Sequence, residues 1–359
     1  MIAGAVSHRP ARLFLAAAVA IGCGGGAAKT PGARDGGSDS GGSGGAGPTE
    51  TSGNGGATVV DAAGAGGGAG GAGGSGGIVN GGGGVTTDAD AGDARVDGGV
   101  GVDGGGNGPI KVLLFNHTAG YGHQSRLTSI PFLVTAAAAN NIDLDLQYAH
   151  QTPPGKAPLP EGTNDSATPP NLSAFVPGGL DRYDVVLFLN TTGNVFQGAD
   201  EKLHQQALQD YVDNHHGGFV GAHSATDTYD DSWPWYQDLI GSIYSGHSNV
   251  VAGTVRKNPG VSSVILTEAM VPEPWRRNEE WYTFRRDVRT LAGFTALLLA
   301  NAPDPMGGVT ERPNAWVHSV PGGGRVFYTG FGHFVDAFKE DAVMRLLMAG
   351  IKWAARRSD

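Results

Sequence analysis

The pattern of apolar and polar positions changes character at residue 109. Beyond it, apolar runs bounded by Gly, Pro or polar residues are typical of buried strands, and apolar stripes at helical spacing indicate amphipathic helices. The runs predict strands at 109–116, 183–190, 217–223, 250–256, 263–266, 296–299, 315–319 and 325–328, with an alternating edge strand at 142–148. The stripes predict helices at 128–140, 200–214 and 340–356, and a Pro/Gly/Ser/Thr-rich loop covers 151–179. Strands that alternate with helices predict an α/β domain with a doubly wound, mostly parallel sheet.

Polar loops follow four of these strands, and all but the third of them contain glycine. They are the segments 116–123, 190–194, 223–228 and 328–333, and three of them carry histidine. Ligands of doubly wound sheets bind outside the carboxyl ends of the strands. The sequence therefore predicts a ligand site where these four loops meet.

The segment Gly221-Ala222-His223-Ser224-Ala225 has the form of a tight strand-to-helix elbow, which requires small residues two positions either side of its centre. The centre is His223, whereas Ser224 is one position beyond it, so a covalent serine mechanism is disfavoured. Thiol catalysis is excluded because the domain contains no cysteine. Residues 120–125 are only a fragment of a dinucleotide fingerprint, which disfavours nucleotide binding.

Composition separates the N-terminal third from this domain. Of the chain's 62 glycines, 36 lie between Gly24 and Gly108, a stretch without Phe, Trp or Tyr. Such a stretch buries too little apolar surface to offset its ordering entropy, so we predict a disordered linker over 23–108 and one domain over 109–359.

The first 22 residues predict an export signal. Arg9 and Arg12 precede the apolar run Leu13–Ile21, which is too short to span a bilayer, and the chain's single cysteine, Cys23, follows directly. This arrangement resembles a bacterial lipobox. It predicts a lipid anchor at Cys23 and a location in the cell envelope, at the outer membrane or in the periplasm. The alternative is an ordinary signal peptide cut before an incidental Cys23.

The charge of the chain argues against one class of partner, nucleic acid. The net charge is −10, and the domain contributes 25 acidic against 19 basic residues without a basic run. A mildly acidic domain lacks the electrostatic footprint of a nucleic-acid-binding protein.

Several motifs, in a consistent order, resemble the trehalose-utilisation (ThuA-like) family over Ile110–Ala355. They are Asn190-Thr191-Thr192-Gly193, the segment 217–227, Trp233-Pro234-Trp235-Tyr236, Ser245-Gly246-His247, Glu279-Glu280-Trp281-Tyr282 and Gly330-Phe331-Gly332-His333. The resemblance implies a flavodoxin-like fold related to class I glutamine amidotransferases, and a role in carbohydrate metabolism. Amidotransferases hold a cysteine at the elbow where this chain has His223, so the resemblance does not extend to glutaminase activity.

The candidate chemistry has two forms. In one, His223 is a general base oriented by Asp227, with Glu280 or His123 as the acid. In the other, histidines and carboxylates of the rim hold a divalent metal, although no tight ligand spacing identifies it. The further candidates for substrate binding are His117, Tyr121, Thr191, Thr192, Trp235, His247 and His333.

The expected partner is a carbohydrate or sugar-derived small molecule. Two functions compete: an exported enzyme acting on a disaccharide or keto-sugar, and a non-catalytic carbohydrate-binding module at the cell surface.

Overall fold

The computed structural model describes residues 108–358. The predicted signal peptide, Cys23 and the predicted linker up to residue 107 lie outside this range. No helix among the described residues is both long and apolar enough to cross a membrane.

One sheet of nine strands organises the described part of the chain, in the order β2-β1-β3-β4-β11-β10-β9-β6-β7, and β5 and β8 form a separate pair. The strands are β1 Ile110–Phe115, β2 Ile142–Asp145, β3 Val185–Leu189, β4 Gly218–Ala222, β5 Tyr244–His247, β6 Val251–Lys257, β7 Trp275–Glu279, β8 Tyr282–Phe284, β9 Thr295–Pro303, β10 Val309–Ser319 and β11 Arg325–Thr329. The helices are α1 Ser125–Thr128, α2 Ile130–Ala139, α3 Glu201–Asp213, α4 Pro234–Ile240, α5 Val264–Ala269 and α6 Asp341–Ala354.

The first half of the sheet has the parallel arrangement that the sequence predicts. Strands β2-β1-β3-β4-β11 pair in parallel, which is the 2-1-3-4-5 order of flavodoxin-like folds. The second half differs, because β10, β9, β6 and β7 join through antiparallel pairs. The α/β class and the parallel core are thus confirmed, and the sheet continues beyond them as an antiparallel extension.

Both faces of the parallel strands are buried, as their unbroken apolar runs predict. Val112 and Leu114 of β1 pack into one hydrophobic cluster with α2 and α6. Leu113 and Phe115 point the other way, into a second cluster with α3 and α4. The two layers hold the strands from either side and leave only their ends open to a ligand.

One segment differs from the sequence-based prediction, and a second forms a helix for which no element was predicted. The run 263–266, predicted as a strand, begins helix α5, because the Ser263 side chain caps the helix by accepting from the Ile265 N–H. A short apolar run cannot be assigned to strand or helix by periodicity alone. The second segment is the aromatic motif 233–236, which opens helix α4 with Pro234 in its first turn.

Candidate functional site

The four loops expected at one rim are joined to one another there. Short parallel bridges link Thr118 to Thr192 and Gly193 to Thr228, and so connect the loops that follow β1, β3 and β4. The loop after β11 joins them, because the Asn190 Nδ2 donates to the Gly332 carbonyl oxygen at 2.9 Å. The rim is therefore one continuous surface.

His223 occupies the elbow that the sequence predicts. It follows β4 directly, begins a 3-10 turn that ends at Asp227, and has a φ of +48°. This left-handed conformation is uncommon outside glycine and is found at strained functional sites. Gly332, with a φ of +142°, allows the close approach, since a Cβ there would lie 3.0 Å from the His223 Cβ.

Four side chains converge beside this elbow. His123, His223, Glu280 and His333 each bring one nitrogen or oxygen atom to within 4.8 Å of all the others. The Glu280 Oε2 lies 3.5 Å from the His223 Nε2 and 3.2 Å from the His333 Nδ1. We call these four residues the histidine–glutamate cluster.

The tautomers of two cluster histidines follow from their partners. The His223 Nδ1 lies 3.0 Å from the Gly330 carbonyl oxygen, which can only accept, so this nitrogen carries the proton. The His123 Nδ1 faces a carboxylate oxygen of Glu161 at 3.0 Å and also donates. Both Nε2 atoms are therefore hydrogen-bond acceptors turned towards the cluster.

One hydroxyl group stands between these two nitrogens. The Tyr282 Oη lies 3.1 Å from the His223 Nε2 and 3.3 Å from the His123 Nε2. It has a single proton and can satisfy only one of them. The Glu280 Oε2 and the His333 Nδ1 are also buried, and neither has a hydrogen-bond partner among the described residues.

The ionisation of His123, His223 and Glu280 suits a cation, whereas Glu280 outweighs burial and raises the pKa of His333. Burial and the nearby His223 lower the pKa of His123 to about 4, and burial lowers the pKa of His223 too, so both rings are neutral at pH 7. Burial raises the pKa of Glu280, but the adjacent His223 and His333 outweigh it and hold that pKa below its ordinary value. Burial and the Glu280 charge raise the pKa of Tyr282, which stays protonated.

These properties fit a divalent metal. The buried acceptor atoms of the cluster outnumber the hydrogen-bond donors that face them. A buried polar atom without a partner lowers the stability of the fold, and a bound cation would provide that partner. A borderline metal such as Zn²⁺ takes imidazole nitrogen and carboxylate oxygen as ligands, and the outer nitrogens of such histidines are usually hydrogen-bonded to a carboxylate or carbonyl. His123 and His223 both show this second feature.

Three other candidates surround the cluster. The His247 Nδ1 lies 3.0 Å from the Glu280 Oε1, and pairing between β5 and β8 places His247 opposite Tyr282. Tyr121 is half exposed, and its ring lies edge-on to His123 with 5.0 Å between centroids. Asp227 is half-buried, and burial together with Asp230 raises its pKa to about 6.

The predicted orientation of His223 by Asp227 is replaced by other contacts. Among the hydrogen bonds of residues 108–358, His223 is held by the Gly330 carbonyl and Tyr282, and none joins it to Asp227.

Three predicted substrate-binding residues instead bind neighbouring parts of the rim. Thr191 shares a hydrogen bond with Thr228 at 2.8 Å, and the Thr192 hydroxyl donates to the Tyr121 carbonyl oxygen at 2.8 Å. Both threonines are fully buried. His117 turns towards Asp165, with 3.5 Å between its Nδ1 and the carboxylate.

Trp235 lies away from the cluster. Its indole N–H donates to Asp213 at 2.9 Å, and its ring packs against Trp233. Asp213 is the last residue of α3, just before β4 begins, and so lies at the amino edge of the sheet. A substrate-binding role for Trp235 at this rim does not agree with that position.

Sequence reasoning missed Glu161 and named Tyr282 only as part of the motif 279–282. Glu161 lies in an irregular loop, where no periodic pattern marks a functional residue. The signal available for Tyr282 was its place two residues after Glu280, on the same side of an extended segment.

A groove of about 510 Å³ lies elsewhere, between β6, β7, β9 and β10. None of the candidate residues lines it. The convergence of titratable side chains favours the rim as the functional site.

Comparisons with known proteins identify several similar chains. A crystal structure of a ThuA-like protein from Bacteroides uniformis is 18% identical, with a TM-score of 0.50 over 69% of this chain and 93% of that one. A ThuA-like protein from Parabacteroides merdae is 20% identical, with a TM-score of 0.48 over 69% and 90%. The glutaminase domain of Trypanosoma brucei CTPS with bound acivicin is 13% identical, with a TM-score of 0.37 over 70% and 95%. No curated protein matches the chain significantly.

The profile of the ThuA family, described as trehalose utilisation, matches residues 111–354, which include every member of the histidine–glutamate cluster. That range covers more than half of the chain and all of the sheet except Ile110. The chain therefore belongs to the ThuA family, whose description indicates a role in carbohydrate metabolism.

Proposed function

We propose that the chain is a metal-dependent enzyme acting on a disaccharide or keto-sugar at the rim of its sheet. The observation that carries the proposal is the convergence of four ligand atoms within 4.8 Å, with buried lone pairs that lack donors. His123, His223, Glu280 and His333 would hold the ion. A bound divalent ion supplies Lewis-acid polarisation of a carbonyl or hydroxyl oxygen.

The surrounding residues would supply proton transfer and substrate contact. Asp227, with a pKa raised to about 6, can accept or release a proton near neutral pH, where general acid–base catalysis is most efficient. The half-exposed ring of Tyr121 offers an apolar face to a sugar. His247, about two-fifths exposed, has its Nδ1 against Glu280 and the Ser248 carbonyl oxygen, so its Nε2 can accept from a sugar hydroxyl.

Metal analysis and ligand binding test this proposal. We expect the purified chain to bind about one equivalent of Zn²⁺, Mn²⁺ or Co²⁺, and a metal at 100 times its Kd to stabilise the fold by about 2.7 kcal/mol. Glu280→Gln should lose this binding, whereas Glu311→Gln, on strand β10 of the antiparallel extension, should retain it.

Trehalose and keto-sugars, added to the metal-loaded chain, should raise its thermal stability and be converted to product. Binding without product would favour the alternative of a carbohydrate-binding module. A chain that binds no divalent metal would contradict the proposed chemistry.

We further propose that the chain is exported and attached to the cell envelope through Cys23. The support is the apolar run Leu13–Ile21 followed by the lipobox-like Ala20-Ile21-Gly22-Cys23. Stable anchoring takes two or more acyl chains, which a lipobox cysteine acquires. Radiolabelled palmitate should label the wild-type chain in a bacterial host but not Cys23→Ala, and equal labelling would contradict the anchor.

A further inference from the structure

The loop between β2 and β3 returns over the rim and docks on the loop that follows β1. The Gly162 N–H donates to the Gly122 carbonyl oxygen at 2.9 Å, and the Asp165 N–H donates to the Thr118 carbonyl oxygen at 2.9 Å. We call residues 159–165 the docked loop. These backbone contacts fix its path across the site.

Two features make this docking specific. A Cβ at position 122 would overlap the Thr163 carbonyl oxygen, so only glycine there lets the two backbones meet. Asp165 is fully buried and accepts from the Arg126 guanidinium at 2.8 Å and from the Thr118 N–H at 3.0 Å. Separating the partners of a buried ion pair would leave a buried charge without compensation, which costs several kcal/mol. The pair between Asp165 and Arg126 therefore holds the loop in one place.

The docked loop carries one carboxylate to the cluster. One oxygen of Glu161 faces the His123 Nδ1 at 3.0 Å, and the other accepts the Gln124 N–H at 2.7 Å. With both oxygens in use, the carboxylate is fixed against the ring. A carboxylate on the outer nitrogen of a ligating histidine sets its tautomer, orients its ring and raises the basicity of the other nitrogen.

We propose that Glu161 is a positioning residue of the histidine–glutamate cluster, and that docking of the loop through Gly122 and Asp165 assembles the site. The proposal rests on the proposed function, since it assumes that His123 ligates a metal. It makes the affinity for that metal depend on a loop that contributes no ligand of its own.

Co²⁺ binding by the purified chain, followed through its visible absorption, tests the proposal. We expect Glu161→Ala to weaken Co²⁺ binding about 10- to 100-fold, in line with other losses of an outer-shell partner, and to alter the spectrum. Glu161→Gln should fall between Glu161→Ala and wild type, because its amide oxygen still accepts from the ring without the charge. Gly122→Ala should weaken binding similarly by displacing the docked loop, although Glu161 is still present.

The matched control is Glu268→Gln on α5, whose carboxylate faces Lys352 at 3.3 Å. It should bind Co²⁺ as the wild type does, and the metal-free Glu161→Gln and Glu268→Gln variants should melt within a degree or two of each other. Glu161→Ala with wild-type affinity and spectrum would overturn the role of Glu161 alone. A wild-type chain that binds no Co²⁺ would overturn the metal site and this proposal together.

Discussion

At the scale of single residues, the surroundings of a side chain and the hydrogen-bond partners of its ring nitrogens identify the site better than residue type does. Of the ten histidines that the structure describes, seven lie outside the cluster, as His318 does by contacting the Leu239 carbonyl oxygen. His216 also has a left-handed backbone and an Nδ1 that faces a carbonyl oxygen, but it is exposed, whereas His223 is fully buried with its Nε2 turned towards the cluster. The free Nε2 is what makes the residue useful chemically.

The conformation of residue 223 gives a prediction about stability. A non-glycine residue in the left-handed region costs about 1–2 kcal/mol relative to glycine. We therefore expect His223→Gly to unfold with a free energy about 1 kcal/mol higher than His223→Ala, although both lose the imidazole and metal affinity. Urea unfolding of the two variants measures the difference, and equal stabilities would show that the backbone there carries no strain.

A second prediction concerns His117 and pH. Burial lowers the pKa of His117 from 6.5 to about 4. The Asp165 charge opposes this shift, and the charges of Arg126 and His150 add to it. Between these values the unfolded chain binds a proton that the folded chain does not, so stability is intact above pH 6.5 and declines as the pH falls towards 4. Over this interval His117 should account for a loss of up to about 3 kcal/mol.

His117→Gln should flatten the decline between pH 6.5 and 4, as measured by urea unfolding at several pH values. The control is His215→Gln, which changes an exposed histidine. Parallel pH profiles for wild type and His117→Gln would contradict the assignment.

At the scale of elements, the rim works because loops from distant strands fit against one another. Gly332 follows β11, yet its missing side chain makes room for His223 and Asn190, which follow β4 and β3. Asn190 is itself left-handed, with a φ of +52°. The site therefore depends on contacts between loops as much as on the strands that present them.

Substitution of Gly332 tests this fit. A Cβ there would lie 3.0 Å from the His223 Cβ and 3.1 Å from the Asn190 Oδ1, in addition to the cost of the left-handed backbone. Gly307 also has a positive φ, of +83°, but nothing lies within 4 Å of its would-be Cβ. We expect Gly332→Ala to lose about 1–3 kcal/mol more stability than Gly307→Ala, and to weaken metal binding. Equal losses in urea unfolding would show that backbone conformation alone matters.

The sequence predicted those elements whose pattern is periodic and local. The buried strands, the helices α3 and α6 and the His223 elbow follow from apolar spacing and small residues, and they are found within a few residues of their predicted bounds. Strands β6, β9 and β10 of the antiparallel extension were predicted, but their antiparallel pairing was not, because an apolar run does not show the direction of its neighbour. Strand β7 and the pair β5–β8 were not predicted, because short strands with mixed polarity leave no clear period. Glu161 was missed for a related reason, since its position depends on a loop that folds back over 38 residues of chain.

At the scale of the whole molecule, the carboxyl edge of the sheet holds the residues of the site, and the amino edge holds residues that contribute to stability. The carboxyl edge holds the histidine–glutamate cluster with its unpartnered polar atoms, whereas Trp235 near the amino edge has its indole N–H and ring engaged. Changes at the amino edge should therefore alter folding without altering the site.

Trp235→Ala tests this separation. We expect a loss of about 2 kcal/mol or more in unfolding free energy, from lost packing on Trp233 and the lost hydrogen bond to Asp213, with Co²⁺ affinity within twofold of wild type. His333→Ala should do the reverse and lose Co²⁺ affinity at a smaller cost in stability. A large drop in metal affinity for Trp235→Ala would show that the edges are coupled.

The left-handed backbone at residue 223 has a consequence for how this fold can diversify. Gly332 leaves room for this conformation, which would present another side chain at the same point in space. The backbone fixes where a reactive side chain stands, and the codon at position 223 fixes which side chain it is. A single codon change there can therefore change the reaction while the fold stays the same.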